Sequence, residues 1–394
     1  MRKLLAVLLL QSTWCFGQVN YSEFTDIISE LWTKDTESVF QSLVDTKRIP
    51  LVVNDSVAFL YKTEASTVSW MGDFNGWGYY KEIPNQGKRI PNSDIWILKM
   101  KFPMDARLDY KIVVNETRWI LDPINPNQQW SGVGGGSPNS ELQMPEWKED
   151  PTLIENQDAK KGTVISDVLL QSKVLGYQIM YSIYLPYDYN PKIKYPTLYV
   201  TDGYEYMHPK MGNMITVLNN LIDLRKTNPV IVVFVDQRNP INRAENRRMK
   251  ELAMNESYLN FYLEELLPEI ERNYSTENKA AYRGILGTSM GGLNAAYFSF
   301  TRPDIFGLSA IQSPAFSYRS EIYTTCENAE NPPTKIFLSA GTIYDAKEGA
   351  DKMRGILDTN ICTYQFVEVN ESHSWGQWRT LLDDILVYFF PVSN

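Results

Sequence analysis

The residues best suited to chemistry gather around Ser289. The run Arg283-Gly284-Ile285-Leu286-Gly287-Thr288-Ser289-Met290-Gly291-Gly292 sets G-x-S-x-G between an apolar, strand-like stretch and a helix-forming one. That context is a nucleophile elbow, in which a tight turn presents a serine hydroxyl at the end of a sheet. Gly287 and Gly291 keep Cβ atoms out of the close approach of strand and helix. The Met290 amide, at the start of the helix, is placed to donate to a developing oxyanion. A serine hydroxyl is a weak nucleophile at neutral pH and needs a base. The chain has two histidines, His208 and His373. His373 follows the serine, in the loop Glu371-Ser372-His373-Ser374-Trp375, and is the expected base. His208 precedes it and is expected to line the pocket, as is Trp375. The acid that orients the base should lie between serine and histidine. Asp345, in Gly341-Thr342-Ile343-Tyr344-Asp345, is the preferred candidate, with Glu348 and Asp351 as rivals. A second oxyanion donor is expected from the Tyr204 amide, in Leu198-Tyr199-Val200-Thr201-Asp202-Gly203-Tyr204.

These residues need a scaffold, and the texture of the chain supplies one. Residues 161–394 alternate short apolar or β-branched runs (163–170, 178–185, 196–201, 230–235, 281–286, 308–312, 335–340, 364–369) with helical stretches (258–273, 293–300, 347–357, 378–388). This pattern predicts a doubly wound α/β domain with a mostly parallel sheet. The order serine, acid, histidine is that of an α/β hydrolase. Residues 51–121 carry short β-rich runs separated by turn residues, as in an all-β sandwich. Residues 18–50 read as a lead-in segment with helical spacing at Phe24, Ile27, Ile28 and Leu31. Residues 122–160, rich in Pro, Gly, Asn and Ser, read as linker and loop. The glycine run at 132–136 lacks the Lys-Ser/Thr ending of a phosphate loop and reads as a flexible connector.

Composition narrows the function. The chain has 394 residues, 43% hydrophobic and 22% charged, enough for two packed domains. Its net charge of −9 argues against nucleic-acid binding. Residues 1–17 place Arg2 and Lys3 before seven apolar residues, the layout of a cleaved signal peptide. That run is too short to span a membrane, so the expected location is periplasmic or extracellular. Cys15 leaves with the leader. Cys326 and Cys362 remain, as a disulfide pair or as two free thiols. They cannot form a four-cysteine zinc site, and no H-E-x-x-H is present, so neither a metal nor an organic cofactor is expected.

Residues 160–394 resemble the esterase family that includes enterochelin esterases, feruloyl esterases, S-formylglutathione hydrolases and mycolyltransferases. The matching pieces are Tyr199-Val200-Thr201-Asp202-Gly203, Gly287-Thr288-Ser289-Met290-Gly291-Gly292, and His373 followed by Trp378-Arg379. Arg248-Met249-Lys250-Glu251-Leu252 with Glu264-Glu265-Leu266-Leu267-Pro268 looks most like the enterochelin branch. The Gly341-Thr342-x-x-Asp345 loop resembles the feruloyl-type members. The resemblance implies that Ser289 and His373 are catalytic and that the Tyr204 and Met290 amides form the oxyanion hole. Gly72-Asp73-Phe74-Asn75-Gly76-Trp77, Asp109-Tyr110-Lys111 and Asp122-Pro123-Ile124-Asn125-Pro126 resemble the immunoglobulin-like, carbohydrate-binding-module-type domain that precedes many carbohydrate esterases.

The expectation is a secreted serine ester hydrolase. Its first candidate substrate is a siderophore ester of the enterochelin type, with the cations Arg238, Arg243, Arg247, Arg248 and Lys250 as a binding cluster. The alternative is a feruloyl or acetyl ester on plant polysaccharide. A non-catalytic carbohydrate-binding protein on a hydrolase scaffold is the rival of another class. Trp70, Trp77, Trp96 and Trp119 are expected to fill the sandwich core or face the partner domain, with a sugar-stacking face as the other possibility.

Overall fold

The computed structural model describes residues 21–33, 35–132 and 136–392. The expected signal peptide, residues 1–17, lies outside the described residues, as do residues 133–135 of the glycine run.

The first half is built from nine strands: β1 (Leu51–Val53), β2 (Ser56–Lys62), β3 (Val68–Gly72), β4 (Lys88–Arg89), β5 (Ile95–Lys101), β6 (Arg107–Val114), β7 (Arg118–Ile120), β8 (Gln128–Ser131) and β9 (Ser137–Gln143). They form a four-stranded sheet, β1-β2-β5-β4, and a second sheet, β3-β6-β9-β8, with β7 on β6. Val57, Phe59, Trp70, Leu98, Leu108, Tyr110 and Ile112 share the core between the two sheets. Strand β2 is buried on both faces. Val57 and Phe59 face this core, while Ala58 and Leu60 pack under the helices Tyr21–Thr33 and Thr36–Asp45 with Leu31, Phe40 and Leu43.

Strands β8 and β9 correct the reading of residues 122–160 as linker. Apolar periodicity missed them because their inward side chains are polar. Asn139 donates to Asp109, Ser140 accepts from the Asp122 amide, and Glu141 pairs with Arg107, all buried. Each is satisfied by a partner, as burial requires.

The second half carries β10 (Thr163–Gln171), β11 (Gln178–Leu185), β12 (Thr197–Val200), β13 (Ile231–Asp236), β14 (Arg283–Thr288), β15 (Leu308–Gln312), β16 (Lys335–Gly341) and β17 (Tyr364–Val369). They form one sheet in the order β10-β11-β13-β12-β14-β15-β16-β17. The two pairings made by β11 are antiparallel, and every pairing from β13 to β17 is parallel. Strands β13, β14 and β15 are buried throughout, because apolar layers cover both faces of the sheet. The sheet is therefore doubly wound and α/β-hydrolase-like, as the strand–helix alternation predicts. The expected helix at 378–388 is instead two, Trp375–Arg379 and Leu382–Phe389. Among the described residues no helix is long and apolar enough to cross a membrane.

Candidate active site

Strand β14 runs up the middle of the sheet and leads directly into Ser289, whose backbone sits at φ 58°, ψ −115°. That conformation is strained for a residue with a side chain and marks functional turns. The turn is held by the Ser289 amide donating to the Gln312 carbonyl at 2.9 Å and by the Ala315 amide donating to the Ser289 carbonyl at 2.9 Å. The glycines are there for space. A Cβ on Gly287 would lie 2.3 Å from Gly291 backbone atoms, and one on Gly291 would lie 2.4 Å from Thr201 Oγ1. Helix Met290–Thr301 begins at once, so its unpaired first amides and positive dipole end point toward the serine.

His373 follows β17, the last strand of the sheet. Its Nδ1 lies 2.7 Å from Asp345 Oδ1. With Nδ1 carrying the proton shared with the carboxylate, Nε2 is left free to accept one. The Asp345 carboxylate is fully enclosed. Its other oxygen accepts from Ser313 Oγ at 2.6 Å, the Gly341 amide at 2.6 Å and Gln377 Nε2 at 3.2 Å. Burial alone would raise its pKa; the bonds from His373, Ser313 and Gly341 outweigh burial and hold it below the ordinary carboxylate range. The rivals stand elsewhere: Glu348 and Asp351 belong to helix Lys347–Thr359, where Asp351 pairs with Lys347 at 3.0 Å.

Ser289 and His373 line one cavity of about 720 Å³ at the carboxyl end of the sheet. Trp375 lines it too, with its Nε1 donating to Glu205 Oε2 at 2.7 Å. Arg248 also lines it, but its guanidinium is engaged. Nε donates to Asp202 Oδ1 at 2.8 Å and Nη2 to the Thr288 carbonyl at 3.0 Å, tying the ends of β12 and β14 together. Met290 and Tyr204 each stand in the first turn of a helix beside this floor, but neither is among the cavity-lining residues.

Two expectations change. His208 does not reach the cavity. It ends helix Gly203–Met207, stacks on Trp130 with ring centroids 5.7 Å apart, and accepts the Lys210 amide at Nδ1. These contacts fix the ring away from the serine. The basic cluster is also dispersed: Arg238 pairs with Asp236 at 2.5 Å, Arg243 with Asp167 at 3.2 Å and Arg247 with Glu245 at 3.3 Å. Of the five cations only Arg248 lines the cavity, and Asp202 neutralises it.

The sandwich supplies the other wall through Asp73, Trp77, Asp109, Lys111, Trp119 and Asn139. The four tryptophans divide. Trp70 and Trp96 are buried in the sandwich, whereas Trp77 and Trp119 stack at 6.5 Å and face the cavity. Trp77 has a φ of 58°, a strained value for a bulky residue, and its Nε1 donates to Asp73 Oδ1 at 3.1 Å. Burial, with Asp109 nearby, pushes the Asp73 carboxyl up to about 8. Burial and Asp202 push Glu205 up to about 7. The sequence reading missed Asp73, Asp109, Lys111, Asn139 and Glu205 as cavity groups. Asp73, Asp109 and Lys111 stood in quoted motifs, but no local spacing says that their strands face the serine.

A doubly wound sheet with its serine on a strained turn, beside a histidine held by an enclosed aspartate, defines an α/β-hydrolase-like protein. The model of the Esterase family matches residues 172–389, more than half of the chain. The chain belongs to this family and is a carboxylic ester hydrolase. It is similar to the endo-1,4-beta-xylanase/feruloyl esterase of Xylanibacter ruminicola, 25% identical over 320 residues that cover 77% of this chain and 41% of that relative. It is also similar to the iron(III) enterobactin esterase of Escherichia coli O6:H1, 27% identical over 197 residues, 50% of this chain and 46% of that relative. The matched stretches cover less than half the length of each of these two relatives. The ferric enterobactin esterase of Salmonella typhimurium shares its fold with a TM-score of 0.71 at 20% identity, over 85% of this chain and 93% of that one.

Proposed function

We propose that the protein is an exported serine esterase that works through an acyl-enzyme and takes an uncharged aryl ester carried on a sugar. The observation that carries the mechanism is the Asp345–His373 pair at 2.7 Å in the same cavity as the elbow serine. Ser289 Oγ attacks the ester carbonyl while His373 Nε2 takes its proton. The resulting oxyanion is met by the Met290 amide and by the Tyr204 amide one strand over. Collapse breaks the bond to the alcohol, which leaves with the proton from His373. Water then attacks the acyl-enzyme, gives its proton to His373, and the acid departs as Ser289 recovers that proton.

For the substrate, charge decides. A ferric catecholate complex is strongly anionic and calls for several free cations. Of the four carboxyl groups in the lining, Asp73 and Glu205 are pushed up to about 8 and about 7 and so hold protons for much of the time near neutral pH. That leaves Asp109 and Asp202 against Lys111 and Arg248. Asp109 is paired with Arg107 and Asp202 with Arg248. Lys111 is the one permanent cation of the lining without a carboxylate at ion-pair distance among the described residues. The stacked Trp77 and Trp119, half exposed at the rim, suit a ring with an apolar face and a wet edge. These features favour the feruloyl-type ester over the siderophore. The sequence likeness supports the same choice, because it runs over 320 residues for the feruloyl esterase relative and over 197 for the iron(III) enterobactin esterase. We read the sandwich as the immunoglobulin-like, carbohydrate-binding-module type, and the amino-terminal leader as the export signal.

Purified protein assayed on methyl ferulate, a feruloylated arabinoside and ferric enterobactin tests the proposal. Turnover of the two ferulates and none of the siderophore is expected. Preference for the iron complex would overturn the substrate choice, and full activity in Ser289→Ala would overturn the mechanism.

A further inference from the structure

We propose that Arg107, a sandwich residue, is a positioning residue for the esterase reaction: its guanidinium grips the loop on both sides of His373 and so sets the imidazole against Asp345. This rests on the reading of His373 as the base.

Arg107 is 1% exposed and opens β6, on the sandwich side of the domain boundary. Its Nη2 pairs within the sandwich, with Asp109 at 2.5 Å and Glu141 at 2.9 Å. Its Nη1 crosses the boundary. It donates to Ser374 Oγ at 3.2 Å and stands 3.6 Å from Glu371 Oε2, an oxygen with no hydrogen bond of its own. Glu371 and Ser374 bracket His373. The loop needs such support, since it leaves an edge strand that has a neighbour on one side only. Trp147 Nε1 donates to Glu371 Oε1 at 3.2 Å, and Asn370 Nδ2 donates to Asp105 Oδ1 at 2.7 Å, so the sandwich side meets the loop at three of its residues.

A second observation points the same way. A Cβ on Gly376 would lie 1.8 Å from Arg107 Nη1. Gly376 sits inside helix Trp375–Arg379 without a positive φ, so its glycine is required by the guanidinium and not by the backbone. An arginine that merely neutralised Asp109 and Glu141 would need neither the bond to Ser374 nor this opening. Only a planar fork can serve carboxylates on one domain and a hydroxyl on the other at once, so lysine is no substitute.

The test uses the full chain with p-nitrophenyl acetate, in Arg107→Lys and Gly376→Ala. The first keeps the charge and loses the fork. The second keeps the arginine and pushes it off the loop, at a helical site where alanine is welcome. Thermal melts establish that each variant is folded before kcat and KM are compared. A misplacement of about 1 Å at a reacting group costs on the order of 100-fold. We therefore expect kcat to fall about 10- to 100-fold in both variants with KM within about twofold. Folded variants that keep wild-type kcat would overturn the inference. His373→Ala, run beside them, separates the two ideas. If it is silent while both variants stay active, only the role of Arg107 fails; if it keeps wild-type activity, the reading of the base fails first.

Discussion

The serine and the histidine are held in opposite ways. Ser289 is fixed by its own neighbourhood: glycines at 287 and 291, the helix that starts at Met290, and backbone bonds to Gln312 and Ala315 on adjacent elements. It stands in the middle of the sheet, between β12 and β15. His373 follows the edge strand, and side chains from far along the chain hold its loop. Arg107 and Ser374 are 267 residues apart, and Trp147 and Glu371 are 224 apart. In the proposed mechanism the nucleophile is therefore a local device, whereas the base depends on how two domains dock. Substitutions near the serine should act alone, and substitutions around the histidine should spread across the boundary.

Removing either reacting group has the largest expected effect. Ser289→Ala and His373→Ala should each lower kcat by on the order of 10⁴–10⁶, read with p-nitrophenyl acetate. Equal losses in the double variant would show the two acting as one unit. Asp345→Asn comes next, with a loss on the order of 10²–10⁴, because the imidazole loses its orienting partner while Ser289 stays in place. Smaller again is Trp77→Ala. It should raise KM for a feruloylated arabinoside by about fivefold and leave p-nitrophenyl acetate within about twofold, since stacking is worth about 1 kcal/mol. A uniform loss on both substrates would move Trp77 from binding into folding.

The last effect concerns stability against pH and leaves turnover aside. Burial pushes Glu251 up to about 7 and Glu371 up to about 7, and pushes Asp73 up to about 8. In the unfolded chain such groups titrate near 4. Between these limits the folded state holds protons that the unfolded state has released, so stability falls as pH rises. Melting temperature should decline from about pH 5 to pH 8, as unfolding free energy falls by at most about 1.4 kcal/mol per pH unit for each such group. Glu251, away from the cavity and hydrogen-bonded by Tyr177, gives the clean test: Glu251→Gln should flatten the slope. An unchanged slope would place the pH dependence in other groups.

The same contrast explains what the sequence made legible. The elbow, the order of serine, acid and histidine, and the alternation of strand and helix are local or periodic, and they stand out without a structure. Asp345 was preferred over Glu348 and Asp351 because it lies in the loop that follows a strand, whereas they continue into a helix. Strands β8 and β9 were invisible because buried Asn139, Ser140 and Glu141 replace the apolar alternation that betrays a strand. The five nearby cations suggested an anion pocket, since charge runs in a sequence do not reveal the carboxylates that will pair with them. Asp73, Lys111 and Arg107 gained their places only when the sandwich docked.

The most direct test of the central claim is peptide mapping by mass spectrometry after a fluorophosphonate probe has reacted with wild type and with His373→Ala. The adduct should sit on Ser289 alone in wild type, and labelling should slow by on the order of 10³-fold or more without the imidazole. An adduct on another residue, or equal labelling rates in the two proteins, would contradict it.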